Sequence, residues 1–482
     1  MLFKHTFIYF LSRGLPGLIS FFSIMVYTRM LNPEEYGKYA LVMVGINLLN
    51  AVLFQWLRLG LLRFLPSHQE QAFVKFKSTL AIGVLVVIGL TTILAVITYL
   101  FLNNVDWLLY IILGLINLWI QAWYEINQTL YRTQLKPIKF GILSLNRALL
   151  CLTFSVLFIY MGWAERGLLF GFMIGGLLNI LYVTYKEWKV IRFKEFDLSI
   201  FKMFLSYGLP LTITFAMAFF IQMSDRVLLG WFSGDTDATG LFSVASDFSS
   251  QSLGLLMMIV NLSAFPLVVK KLESDGVVAA QKQLEQSLIL LLIVSVPATI
   301  GVMMIAPNIV GIFFGQQFRE SATVLIPMLI IGTFFMGIKS YYYDLAFQLS
   351  KQTSIQFIPV LIGAVINVIL NVIFIPSMGV MGSAYASIIA YSVSIVISWY
   401  VGKKCFPLPF PGKAISQVMF AGIIMGVVLF PLRHLHGIGF LILQIACAAL
   451  VYFIVLLAIN VGDFRSMLLK RFMKKNVRSS EA

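Results

Sequence analysis

Charged side chains sit inside stretches of this sequence that are otherwise almost wholly apolar. Arg13, Arg58 and Arg147 lie toward one end of such stretches, Arg29 and Arg226 toward the other, and Lys339 nearer a middle. The acids placed the same way are Glu125, Asp225, Asp247 and Asp344. In hydrocarbon each charge costs roughly 2.5–3.5 kcal/mol on insertion scales, so each needs a partner, a wet cavity, or a reach to the lipid headgroups. Helical spacing bears on that choice. Asn47, Asn50 and Arg58 fall on one side of a helix, and Asn117, Gln121, Tyr124, Glu125 and Gln128 form a second polar stripe. Ser243, Ser246, Asp247, Ser250, Gln251 and Gly254 form a third. Gly363, Asn367 and Asn371, spaced by four, read as helix–helix glue. Because the first three stripes carry full charges, a hydrated cavity accounts for them better than glue does.

The elements that position these groups follow from composition. Of 482 residues, 60% are hydrophobic and 11% charged, and mean hydropathy is +0.92. Soluble domains carry about 25% charged residues, so a soluble globular chain is excluded, and a disordered one still more firmly. Three cysteines, Cys151, Cys405 and Cys447, cannot frame a disulfide scaffold. Apolar stretches fall near 7–30, 38–62, 79–102, 105–128, 140–160, 167–185, 207–231, 239–263, 287–306, 322–348, 355–375, 382–402, 415–432 and 438–460. Each is close to the roughly 20 residues a helix needs to cross a bilayer, and none shows the alternation of a barrel strand. The first stretch is too long for a signal-peptide core and reads as a helix. The fold class expected is therefore an all-α integral membrane protein of about fourteen transmembrane helices around a central polar cavity.

The net charge of +15 is first a topology signal. With the N-terminus inside, 25 of the 35 basic residues fall in segments on that side and five in the opposite loops. The positive-inside rule then puts both termini in the cytoplasm of a multi-pass protein, expected in a bacterial or archaeal cytoplasmic membrane. Nothing in the basic excess forms a nucleic-acid motif.

A repeat organises the spans. Ser12-Arg13-Gly14-Leu15-Pro16 returns as Ser206-Tyr207-Gly208-Leu209-Pro210. Each copy leads through a helix and a short outer loop to a Gly–aromatic segment, Tyr36-Gly37-Lys38-Tyr39 and then Gly240-Leu241-Phe242. Six spans separate the copies, so both halves enter the membrane the same way, an arrangement common in transporters. The expected organisation is an N-lobe at 1–185, an amphipathic cytoplasmic linker at 186–206 lying along the inner membrane surface, and a C-lobe at 207–402. An appended helix pair at 403–460 and a basic tail at 461–482 follow. Pro16 and Pro210 occupy matching positions and are expected to bend their helices as hinges.

Three junctions resemble those of a known family. Arg29-x-Leu31 followed by Pro33-Glu34-Glu35-Tyr36-Gly37-x-Tyr39-Ala40-Leu41 is similar to the first inter-helix segment of polysaccharide-transport, Wzx-like flippases. Asp225-Arg226-x-x-Leu229-Gly230 with Gly240-Leu241-Phe242-Ser243-Val244-Ala245 resembles their seventh-to-eighth junction. Asn367-x-x-Leu370-Asn371-x-x-x-Ile375-Pro376-x-x-Gly379-x-x-Gly382-Ser383-Ala384-x-Ala386 resembles their eleventh-to-twelfth. These proteins belong to the multidrug/oligosaccharidyl-lipid/polysaccharide exporter superfamily.

The resemblance implies a non-enzymatic carrier of a polyprenyl-pyrophosphate-linked oligosaccharide, moving it from inner to outer leaflet by alternating access. Membrane lipid would be a partner, and a glycan polymerase and chain-length regulator are candidate partners. It implies that spans 13 and 14 line a groove for the lipid tail. Arginine suits pyrophosphate because its planar fork binds two oxygens at once. On that basis Arg13 and Arg58 are expected at the inward-facing site, Arg226 and Arg29 nearer the outer exit, and Arg147 and Lys339 as further cations. Asn47, Gln121, Tyr124 and Gln251 are expected to contact sugar. Without a phosphate-binding nucleotide loop, cofactor or metal signature, the drive is membrane potential or H⁺/Na⁺ carried by Glu125, Asp225, Asp247 or Asp344. A multidrug exporter of the same superfamily is the alternative, though its cavity should be acidic. An enzyme would need a large outer domain that the short loops do not provide.

Overall fold

The computed structural model of the protein describes residues 2–65, 73–101, 107–134, 136–189, 191–234 and 236–460. The side chains at 2–11, 13, 73, 98–101, 210–211 and 213–222 lie outside the described set, which takes in Arg13 and Pro210. Among the described residues every regular element is helical. In chain order these are α1 Leu2–Met30, α2 Pro33–Leu53, α3 Gln55–Phe64, α4 Phe73–Phe101, α5 Leu108–Thr133, α6 Pro137–Phe158, α7 Ala164–Glu187 and α8 Leu198–Ser233. They continue as α9 Asp237–Ser249, α10 Leu255–Phe313, α11 Arg319–Ile338, α12 Leu345–Leu349, α13 Phe357–Met378, α14 Val380–Cys405, α15 Gly412–Leu429 and α16 Ile438–Ile459.

Among the described residues ten helical segments are long and apolar enough to cross a membrane, making this a multi-pass membrane protein. Two of them, Pro137–Glu187 at 51 residues and Asp237–Phe313 at 77, far exceed the roughly 20 residues of one crossing. Each contains a backbone break, at Gly162 (φ 87°) and Gly276 (φ 81°), where only glycine is comfortable. Each of these two segments is therefore a pair of helices joined at a kink, one reason ten segments stand where fourteen stretches are read. The outward surface is oily: Leu90, Ile93 and Leu94 on α4 are 61, 59 and 60% exposed, suited to lipid rather than water.

By mutual packing the chain divides into two compact units, Met1–Val244 with Ala364–Ser383, and Ala245–Gly363 with Ala384–Ala482. This differs from lobes at 1–185 and 207–402. In the first unit α8 lies against α3 at very close range. A Cβ on Gly208 would stand 2.6 Å from the Trp56 carbonyl, and one on Gly60 2.5 Å from the Phe204 ring. Phe204 joins Phe54, Leu57, Phe76 and Leu80 in the unit's main apolar core. The α13 segment is drawn into the same unit by Asn367 and Asn371, which bond to Asp225 on α8.

The 186–206 stretch packs within the first unit. It ends α7, makes one 3-10 turn at Phe193–Glu195, and opens α8 at Leu198. It is fastened to the start of α4: buried Lys77 donates to the Glu187 carbonyl at 2.5 Å, the Arg192 amide to Ser78 Oγ at 3.1 Å, and the Asp197 amide to Thr79 Oγ1 at 3.0 Å. Asp197 caps α8 by accepting from the Ser199 amide at 2.8 Å, and the Ser199 hydroxyl and following amides hold its carboxyl below the usual range. At α2, Asn32 and Glu35 form a reciprocal capping box at 2.8 and 2.9 Å, with Pro33 at the first helical position.

The repeated Gly–aromatic segments meet each other. A Cβ on Gly37 would lie 1.9 Å from the Thr236 carbonyl oxygen, and one on Gly240 would lie 1.9 Å from that of Pro33. The Thr236 hydroxyl donates to the Glu34 carbonyl at 3.0 Å across the same contact.

In the second unit, Gly422 of α15 abuts Ile300 and Val296 of α10. Fully buried Gln444 of α16 accepts from Asn308 at 2.8 Å and donates to the Leu432 carbonyl at 2.7 Å. The C-terminal pair is thereby bound to α10.

Candidate functional site

The densest polar cluster of the first unit is built by α2, α3, α5 and α6. Phe54, fully buried, marks the change of direction from α2 to α3, and the Trp56 indole N–H donates back to the Leu53 carbonyl at 2.8 Å. One turn on, Arg58 reaches α5 and pairs with Glu125 through Nη1, while Nη2 donates to Gln55. Its Nε is buried without a partner. Gln121 donates to Glu125 at 3.1 Å and to Asn47 Oδ1 at 2.8 Å, so residues of three helices share one network. Beside it, the Arg147 guanidinium lies 4.0 Å from the centre of the Tyr124 ring. Gln128 donates to the Tyr124 hydroxyl and, at 2.7 Å, to Ser144.

Asn47, Arg58, Gln121 and Glu125 thus share one network, and Tyr124 and Arg147 belong to a second. Asn117 is diverted: its amide donates to the Leu113 and Leu169 carbonyls at 2.9 and 3.2 Å, fastening α5 to α7. Gln55 was not singled out by sequence, although it lies one helical turn from Arg58. Glu165, a buried acid accepting from the Tyr110 hydroxyl, was hidden in what reads as a loop.

A second cluster surrounds Asp225 on α8. Asn367 and Asn371 donate to its Oδ1 at 3.2 and 2.7 Å, and Ser224 donates to Asn367 at 2.9 Å. Asn371 Oδ1 is buried with no hydrogen-bond partner. The asparagine pair does join helices, but through a carboxylate. The neighbouring Arg226 is buried, and its carbonyl accepts from Thr239 at 3.2 Å.

The remaining candidates are dispersed. Arg29 is exposed in the last turn of α1, where a cation complements the helix dipole. In the second unit, Asp247 is half-buried in α9 and Gln251 half-buried in the π-helical turn Ser250–Gly254. Lys339 begins another π-helical turn, Lys339–Tyr343, and pairs with Asp344 at 2.8 Å. Asp344 also accepts from Gln356 at 3.2 Å and from Ser398 at 3.0 Å, so both charges are sealed and satisfied within the unit. Pro16 does not break α1, which is helical throughout Leu2–Met30; the Ser20 hydroxyl donates to the Pro16 carbonyl at 3.0 Å. Likewise α8 runs unbroken through position 210. Among the described residues no cluster of His, Cys, Asp and Glu is arranged to hold a metal ion.

Residues 26–323 match the family model described as polysaccharide biosynthesis protein. The chain belongs to that family. The matched stretch of the polysaccharide biosynthesis family contains Arg58, Glu125, Arg147 and Asp225, and stops short of Lys339 and Asp344. Among relatives, the chain is 29% identical over 147 residues to the probable low-salt glycan biosynthesis flippase Agl15 of Haloferax volcanii, covering 30% of this chain and 31% of that one. It is 25% identical over 248 residues to the probable flippase AglR of the same organism, covering 50% and 51%. The chain thus spans about a third to a half of the length of these curated relatives. The solved structure of lipid II flippase MurJ in an inward closed conformation shares its fold with a TM-score of 0.80 at 18% identity, covering 96% of this chain and 100% of that one.

Proposed function

We propose that the protein is a flippase that carries a polyprenyl-pyrophosphate-linked oligosaccharide from the cytoplasmic to the outer leaflet, supplying cell-surface polysaccharide assembly by alternating access. The observation that carries this reading is Arg58. A guanidinium inside a helical unit, one nitrogen of it unpaired, stands among amide and aromatic side chains in a member of a polysaccharide biosynthesis family. A pyrophosphate–sugar headgroup asks for that combination, a forked cation for phosphate with hydrogen-bonding and ring surfaces for sugar. Asn47, Gln121, Tyr124 and Arg147 extend the site on the sugar side, Arg13 serves the same inward-facing stage as Arg58, and Arg29 and Arg226 serve the outer exit.

The polyprenyl tail stays in lipid, so only the headgroup needs a polar route. Both termini are cytoplasmic in this reading, and outward movement of an anion gains about 2.3 kcal/mol per charge per 100 mV. If an ion is coupled as well, Asp225, ringed by Asn367 and Asn371, is the better carrier. Asp344 is committed to Lys339, which makes that pair a structural tie rather than a substrate contact.

The test is Arg58→Ala in cells lacking the native copy, with glycan export and protein abundance measured together. Export should fall by at least tenfold with abundance unchanged. Export retained at the wild-type level refutes the reading.

A further inference from the structure

Two of the ion pairs among the described residues lie deep in their helical units, and they differ in how firmly each is held. Lys339 and Asp344 have side chains 8 and 4% exposed, and the carboxylate accepts from three donors. Arg58 and Glu125 are 13 and 25% exposed. Arg58 leaves its Nε unpaired, and Glu125 has one further contact, the Gln121 amide at 3.1 Å. The first pair is fixed. The second is more exposed and less completely hydrogen-bonded.

A cation assigned to phosphate is thus already occupied by a carboxylate of the protein's own. We infer that Glu125 is a displaceable counter-anion, seated on Arg58 when the site is empty and displaced by the substrate's pyrophosphate when it loads. This rests on the assignment of Arg58 to pyrophosphate made above. A carrier must return empty, and a bare guanidinium in a low-dielectric site is unfavourable. With Glu125 seated, the empty site has no net charge from this pair. Loading then exchanges one anion for another instead of stripping water from an isolated cation. Glu125, when displaced, keeps its bond to Gln121, which is itself held by Asn47 at 2.8 Å, so the carboxylate stays within reach to reseat once substrate departs. Glu125 is therefore a positioning residue that acts on substrate through Arg58, and it promotes release at the expense of affinity.

The signature is opposite to that of a binding residue. Where the free form of Arg58 is about a tenth of the population, removing the competing carboxylate tightens apparent binding about tenfold. The experiment uses the purified full chain in detergent, with geranylgeranyl pyrophosphate as the probe and geranylgeraniol as the uncharged control. Glycan export in cells is measured alongside. Glu125→Gln is expected to bind the pyrophosphate about tenfold more tightly, to bind the alcohol as wild type does, and to export several-fold more slowly. Glu125→Asp, which keeps the charge on a shorter arm, should fall between. Arg58→Ala should lose the preference for the pyrophosphate.

If Arg58→Ala keeps that preference, the phosphate assignment itself fails. If Arg58→Ala loses it while Glu125→Gln and Glu125→Asp bind no tighter than wild type, only the counter-anion role is overturned. Should Glu125→Gln not accumulate, Glu125→Asp decides by the same comparison. Loss of both variants from the membrane marks the pair as a structural weld and overturns the inference.

Discussion

Lys339→Met isolates the consequence of breaking the sealed pair in the second unit. The substitution keeps side-chain length and removes the ammonium that sits 2.8 Å from Asp344. The carboxylate is 4% exposed, and its other partners, Gln356 and Ser398, are neutral donors at 3.2 and 3.0 Å, too weak to balance a full charge. Removing one partner of such a pair costs about 3–5 kcal/mol. For a folding unit of about 150–250 residues, each kcal/mol lowers the melting temperature by roughly 2–4 °C, so the apparent Tm should drop by about 6–20 °C. Lys339→Met/Asp344→Asn should recover most of that loss, because the amide oxygen can accept from Gln356 and the amide NH2 can donate to the Ser398 hydroxyl oxygen without a stranded charge. Fluorescence-detected size-exclusion chromatography after heat steps measures all three proteins in detergent. A single variant melting within 2 °C of wild type refutes the reasoning. So does a double variant that stays as unstable as the single one.

Gly240→Ala places a methyl 1.9 Å from the Pro33 carbonyl oxygen, a backbone atom that cannot swing aside. It should destabilise by about 1–3 kcal/mol, whereas Gly45→Ala, with open space around it, should be neutral or slightly stabilising; equal melting of the two would contradict the close contact. The Asp197 cap predicts a pH effect of definite sign. Its carboxylate is favoured in the folded protein, so its help to the start of α8 is full above the ordinary carboxyl range and lost as pH falls through the lowered value. Hydrogen exchange at Ser199 and Ile200, corrected for intrinsic rates, should accelerate over that fall in wild type and not in Asp197→Asn.

Apolar length and loop charge are strong signals because the bilayer imposes them on every span, so the helices were readable. Partnerships between helices were less so. The stripe on α5 holds Gln121 and Glu125, which meet α2 and α3, and Tyr124, which meets α6, so spacing fixes a face but not the helix that meets it. Arg58 and Glu125 lie on separate elements, and their union is set by the turn at Phe54. Asn117 belongs to the same stripe but looks toward α7, since α5 is packed on more than one side. Lys339 and Asp344 were concealed by geometry. Residues five apart diverge on an α-helix, but the π-helical turn, with the Asp344 amide bonded to the Lys339 carbonyl at 2.9 Å, brings them onto one side. Pro16 and Pro210 lie within α1 and α8, which are helical on both sides of them.

The meeting of Gly37 with Thr236 and of Gly240 with Pro33 has a consequence for anyone recombining family members. Each copy of the duplicated motif serves as the seat for the opposite copy's helix start, so neither can be exchanged as a self-sufficient cassette. Chimeras with a crossover between residues 37 and 236 join seats of different parentage, and those cut before 33 or after 240 keep a matched set.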